Sequence, residues 1–132
     1  MNTKMLIGGE WIDSADKKPV IDPFTGKTFA QMPQADAATL DRAIGVAHDA
    51  YATTKKQPPF ARAAILHRVA AEIAERKAEF AETILAEAGK PITAAEGEVD
   101  RAVATFTAAA EEARHTAGEL LDMDAFAPGK TR

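Results

Sequence analysis

After Asp36 the apolar residues recur at steps of three and four, a period that commits most of the chain to helices with one apolar stripe each. Asp36 is itself a capping residue type, able to accept the free backbone N–H groups of a first turn. The first stripe runs Leu40, Ala43, Ile44, Ala47, Ala50 and Tyr51. Lys55-Lys56 follow it, where cations suit the negative end of the helix dipole. Gln57-Pro58-Pro59 then interrupts the period, because a residue before proline is pushed out of helical backbone. A second helical region carries Ile65, Val69, Ile73, Phe80, Ile84 and Leu85. Gly89 suits the left-handed residue beyond its end, and Pro91 the opening of the next helix. The third region carries Val99, Val103, Phe106, Ala110, Ala113 and Ala117 on one face, with Glu96, Asp100, Glu111 and Arg114 on the other.

The first 35 residues follow a different pattern. Lys4 to Ile7 and Glu10-Trp11-Ile12 flank Gly8-Gly9, a pair that supplies the positive φ angles of a tight hairpin turn. Pro19 to Asp22 and Thr28 to Met32 flank Pro23-Phe24-Thr25-Gly26, where proline presets an early turn position and glycine tolerates a late one. The expected fold class is therefore α+β: two short hairpins over 1–35, three long helical regions over 36–118, and a connector with Pro128-Gly129 over 119–132. Hairpins this short need helices or a sheet to lie against. Many stripe positions are alanine, which buries little area, so these helices require close packing or surface from a partner.

Composition excludes several classes of function. A net charge of −4 and only short basic pairs, Lys17-Lys18 and Lys55-Lys56, leave no basic patch for nucleic acid. There is no cysteine, which removes disulfides, thiolate metal sites and cysteine nucleophiles from these residues. The opening apolar run is too short for a signal peptide or a membrane span, and the chain reads as cytoplasmic. His48, His67 and His115 fall in three different helical regions and read as surface or packing residues. Glu112 and His115 have the spacing of a di-iron bundle motif but lack the second Glu-x-x-His that such a site requires. Glu72, Glu75, Glu79, Glu82 and Glu87, beside Arg76 and Lys77, read as a solvated face. Neither a Gly-x-Gly-x-x-Gly after a strand nor a Gly-x4-Gly-Lys-Ser/Thr is present. Residue chemistry alone leads no further than an α+β domain.

The order of short motifs adds more. Leu6-Ile7-Gly8-Gly9-Glu10-Trp11-Ile12, followed by Ile21-Asp22-Pro23-Phe24-Thr25-Gly26-Lys27, resembles the opening of the aldehyde dehydrogenase superfamily. Arg62 to Ala70 resembles that family's Arg-x-x-x-Leu-x-x-x-Ala stretch, and Glu87-Ala88-Gly89-Lys90-Pro91-Ile92 its Glu-x-Gly-Lys-Pro motif. Glu98-Val99-Asp100-Arg101 and Ala109-Ala110-Glu111-Glu112 continue the pattern in order.

The resemblance covers nearly the whole chain and implies the N-terminal part of an α/β cofactor-binding domain. The implied activity of the full-length parent is oxidation of an aldehyde to a carboxylic acid with NAD or NADP. The family's oxyanion-donating Asn, Gly-rich cofactor turn, general-base Glu and nucleophilic Cys all fall later than this segment. No catalytic, cofactor-binding or metal-binding residue is therefore expected within it, and no activity from it alone. The nearest flavour is that of members acting on aldehydes with an anionic group, such as non-phosphorylating glyceraldehyde-3-phosphate, phosphonoacetaldehyde or succinate semialdehyde dehydrogenases. Such members often carry, on the third helix, an arginine directed at the anion, and Arg101 falls at that position. A guanidinium fork suits such a group through paired hydrogen bonds. The other reading of Arg101 is an ordinary partner, three or four residues away, for Glu98 or another acid. A homo-oligomer is expected, with no nucleic-acid or membrane partner. The competing reading of the whole chain is a stand-alone helical oligomerisation or interaction module without enzymatic activity.

Overall fold

A computed structural model describes residues 3–115 and residue 118. Ala117 and the expected connector over 119–132 lie outside the described residues. Strands β1 (Met5–Ile7) and β2 (Glu10–Ile12) pair antiparallel, Leu6 opposite Trp11. The turn between them needs both glycines: Gly8 has φ +62° and Gly9 φ +85°. Strands β3 (Lys17–Ile21) and β4 (Thr28–Pro33) form a second, separate antiparallel pair, with a register irregularity between Val20 and Ile21. Pairing begins two residues earlier than the Pro19 expected from the sequence, because Lys17 and Lys18 find partners in Pro33 and Met32.

Helix α1 (Ala37–Thr54) begins as expected, with Asp36 accepting from the Thr39 N–H at 2.8 Å. None of its residues is buried. The first hairpin rests on it through Val46, which lies 3.1 Å from where a Gly8 Cβ would stand. Arg42 Nη2 also reaches Glu10 Oε2 at 2.6 Å. The stripe of Leu40, Ile44 and Tyr51 is left exposed.

Helix α2 (Pro59–Glu75) starts on a proline, whose missing N–H would have no partner there in any case. The single second region expected from the sequence is divided at Arg76 (φ −101°, ψ 21°) into α2 and α3 (Lys77–Ala88). The hydrogen-bond ladder continues through the bend, from Arg76 N to Glu72 O at 3.1 Å and Phe80 N to Arg76 O at 3.2 Å. Arg76 forks onto both Glu79 oxygens, at 2.8 and 2.7 Å, and fixes the entry to α3. The bend lets both segments lie against α4 (Ile92–Glu112).

The core is thin and built from small residues. Ala81, Ala95 and Val99 are buried together, with Ile73 and Ile84 packed against them. Ala63 and Ala110 are fully covered at 0% exposure, so α2 and α4 approach closely over their methyl groups. Val99, Val103, Phe106 and Ala110 on α4 and Ala113 at its C-cap are buried or half-buried, while Glu96, Asp100 and Glu111, and Arg114 just beyond the helix, are exposed, as the period predicts. Large apolar side chains lie outside this core: Phe24 is 92% exposed, Phe60 71% and Trp11 55%.

Candidate functional site

Two sequence motifs separated by more than sixty residues meet in space. The first is the turn Asp22-Pro23-Phe24-Thr25-Gly26 between β3 and β4. Asp22 Oδ1 accepts from the Phe24 N–H at 2.8 Å, and its Oδ2 from the Thr25 hydroxyl at 2.7 Å. These bonds, the Thr25 hydroxyl first, hold the Asp22 carboxyl below the usual aspartate range.

The second motif, Glu87-Ala88-Gly89-Lys90-Pro91, ends α3 and opens α4. Gly89 stops α3 in the left-handed conformation, φ +64°, and donates its N–H to Leu85 O at 2.8 Å. A Cβ at this position would stand 2.8 Å from Pro23 Cγ, so both backbone angle and close approach require glycine. The two motifs bound a cavity of about 300 Å³, lined by Asp22, Phe24, Leu85, Gly89, Lys90 and Pro91.

From this turn Lys90 reaches across to α4. Its Nζ pairs closely with Glu98 Oε1, and Arg101 Nη2 lies 3.4 Å from the same oxygen. Glu98 is the most covered of the three, its side chain 31% exposed against 41% for Lys90 and 73% for Arg101. The hydrogen bond from Lys90 holds the Glu98 carboxyl below the usual glutamate range, and Coulomb attraction from Lys90 and then Arg101 adds to it. One turn-like step away, Lys77 Nζ binds both Asp100 oxygens at 2.7 and 2.8 Å and ties α3 to α4.

Arg101 therefore lies on the outer side of α4, at the end of the Lys90–Glu98–Arg101 row. Its contact with Glu98 is longer than the 2.7–2.9 Å typical of charge-assisted bonds. Sequence reasoning named Glu98 as a neighbour for Arg101 but missed Lys90 as the competing cation. The signal was the lysine inside the Gly-Lys-Pro motif, eight residues ahead of an acid on the following helix.

The histidines take the roles of surface and packing residues. His67 Nε2 lies 3.1 Å from Glu111 Oε1 and links α2 to α4. His115 Nδ1 is 2.8 Å from the Glu111 backbone oxygen, and His48 lies 3.4 Å from Asp49. Among the described residues, no group of three His, Asp or Glu side chains is placed to share a metal. Gly8, Gly9 and Gly26 sit in hairpin turns, and Gly89 joins the C-terminal end of α3 to the opening of α4. The N-terminus of α1 is occupied by the Asp36 carboxylate. No described helix is long and apolar enough to cross a membrane.

Residues 11–131 match the Aldehyde dehydrogenase family. The chain is 34% identical over 125 residues to a 3-sulfolactaldehyde dehydrogenase of Priestia aryabhattai, covering 95% of this chain and 26% of that protein. It is 36% identical over 102 residues to a malonate-semialdehyde dehydrogenase of Bacillus pumilus, covering 76% of this chain and 21% of that protein. Among solved structures, aldehyde dehydrogenase 21 of Physcomitrella patens, in complex with the reaction product succinate, superposes with a TM-score of 0.88. The identity is 34%, over 97% of this chain and 27% of that one. The chain thus spans about a quarter of the length of the curated relatives it matches.

Proposed function

The chain belongs to the aldehyde dehydrogenase family, and from that membership we propose that the protein bearing it oxidises an aldehyde with an anionic group to the carboxylic acid. NAD or NADP accepts the electrons, held by parts of the family's length that these residues do not include. In this reading, residues 1–132 form the N-terminal part of the cofactor-binding domain. The exposed α1 stripe and Phe60 lie under other parts of a homo-oligomeric enzyme that works in the cytoplasm.

Arg101 is the residue of this segment assigned to the substrate. The observation that carries the assignment is its availability: the side chain is 73% exposed, and its guanidinium makes one long approach to an oxygen already engaged by Lys90. A planar fork with free donors is suited to a sulfonate, carboxylate or phosphate, which it binds through two parallel hydrogen bonds. The names of two relatives support the substrate class, since 3-sulfolactaldehyde carries a sulfonate and malonate semialdehyde a carboxylate.

The test is steady-state kinetics of Arg101→Ala in the full-length enzyme, with malonate semialdehyde and with propanal, a neutral aldehyde of the same chain length. Charge-assisted hydrogen bonds contribute about 1.5–3 kcal/mol, so KM for the anionic aldehyde should rise roughly 10- to 100-fold while that for propanal stays near its starting value. Arg101→Lys should recover part of the loss, because an ammonium cannot reproduce the fork. An unchanged ratio of the two kcat/KM values removes Arg101 from the substrate site.

A further inference from the structure

Resting on the assignment of Arg101 to the substrate anion, we propose that Lys90 is a positioning residue that keeps Arg101 available by competing with it for Glu98 Oε1. Both cations address one oxygen, and Lys90 is the closer of the two. The Lys90 backbone is fixed on both sides. Gly89 precedes it in the left-handed conformation with Pro23 packed over it, and Pro91 follows it at the start of α4.

Glu98 and Arg101 are three residues apart on α4, a spacing at which an acid and an arginine pair readily. Arginine prefers to take a carboxylate side-on, one nitrogen to each oxygen. Lys90 instead holds Oε1, and Arg101 reaches that same oxygen through one nitrogen at 3.4 Å rather than side-on. The lowering of the Glu98 carboxyl follows the same ranking, the Lys90 hydrogen bond coming before the attraction of Arg101. Another charged pair on α4, Lys77 with Asp100, is closed on itself at 2.7 and 2.8 Å and does not draw on Glu98.

Removing the Lys90 charge releases Glu98 to close on Arg101, and the substrate anion then competes with an internal carboxylate. Removing the Glu98 charge abolishes that competitor whether or not Lys90 is present. The two substitutions therefore act in opposite directions on the anionic substrate, and the Glu98 substitution masks the Lys90 one. A lysine that only braces the turn produces neither pattern.

The experiment is a double-mutant cycle in the full-length enzyme, with malonate semialdehyde and 3-sulfolactaldehyde as anionic substrates and propanal as the neutral one. Lys90→Met should raise KM for both anionic aldehydes about 2- to 5-fold, the range of one exposed ion pair, with kcat and the propanal constants unchanged. Lys90→Gln, which keeps a hydrogen-bond donor at the turn, should do the same and guards against loss of folding by the methionine variant. Glu98→Gln should leave KM for the anionic aldehydes equal or lower, and Lys90→Gln/Glu98→Gln should match Glu98→Gln. Equal losses on anionic and neutral aldehydes, or a double variant as impaired as Lys90→Gln alone, overturns the proposal. Arg101→Ala in the same series separates the two levels. If it leaves the anionic-to-neutral ratio unmoved, the assignment of Arg101 itself falls; if it shifts the ratio while the Lys90 variants do not, only the role of Lys90 falls.

Discussion

At the scale of single residues, Gly89 and Gly97 make opposite demands although they stand eight positions apart. Gly89 has φ +64° and would place a Cβ 2.8 Å from Pro23 Cγ, whereas a Cβ on Gly97 meets nothing within 4 Å inside α4. Gly89→Ala should therefore destabilise the protein by about 1–3 kcal/mol, combining left-handed strain with the clash. Gly97→Ala should stabilise it by roughly 0.4–1 kcal/mol through helix propensity and a less flexible unfolded chain. Denaturant melts of the two variants check both signs. Asp36 gives a pH-dependent counterpart. Its carboxyl is held below the ordinary 3.8 by the hydrogen bonds it receives from Thr39. A depressed folded-state value means that the stabilisation is complete above about pH 4 and is lost as pH falls through the lowered value. Asp22 and Glu98 share that sign. Asp36→Asn should keep the cap and flatten part of the acid limb of the stability curve, whereas Asp36→Ala should lower the melting temperature at neutral pH as well. Both roles were legible in the sequence, because a cap and a helix stop are decided by residues within a few positions. The contact of Gly89 with Pro23 and the Lys90–Glu98 pair were not, because they depend on how a hairpin turn and a helix junction meet.

At the scale of elements, the sequence period located every helix but not the bend at Arg76. Glu75-Arg76-Lys77 are all good helix formers, and the backbone ladder runs through them, so no local signal marks the break. What sets it is packing, since α2 and α3 must both reach α4. The core itself was only half legible for a related reason. Large residues such as Ile65 and Phe80 drew the apolar stripe, yet both remain exposed, and the fully covered positions are Ala63, Ala95 and Ala110. Alanine occurs on every face of these helices, so hydrophobicity does not reveal which methyl groups are trapped between them. Adjacent substitutions expose the difference. Ala63→Leu should cost about 1–3 kcal/mol by forcing α2 from α4, while Ala64→Leu, on the exposed neighbour, should change stability by less than about 0.5 kcal/mol. Thermal unfolding of the pair measures both; equal effects would mean that the α2–α4 approach is looser than 0% exposure at Ala63 and Ala110 implies.

At the scale of the molecule, α2, α3 and α4 enclose a thin alanine-lined core, and large apolar side chains such as Phe60, Tyr51 and Ile44 are left uncovered. The same chain spans about a quarter of the length of relatives that match it across most of its own. Under the function proposed above, this segment supplies scaffold and Arg101, with nucleophile, base and dinucleotide cradle provided elsewhere in the family's length. These 132 residues contain no cysteine. The direct measurement is aldehyde-dependent formation of NADH or NADPH by the purified 132-residue chain, with malonate semialdehyde and propanal offered in turn. The expected result is no formation above a heat-denatured control with either aldehyde and either dinucleotide. Heat-sensitive turnover by this chain alone would contradict the division of labour, because it would place the oxidation chemistry within residues assigned here to scaffold and substrate recognition.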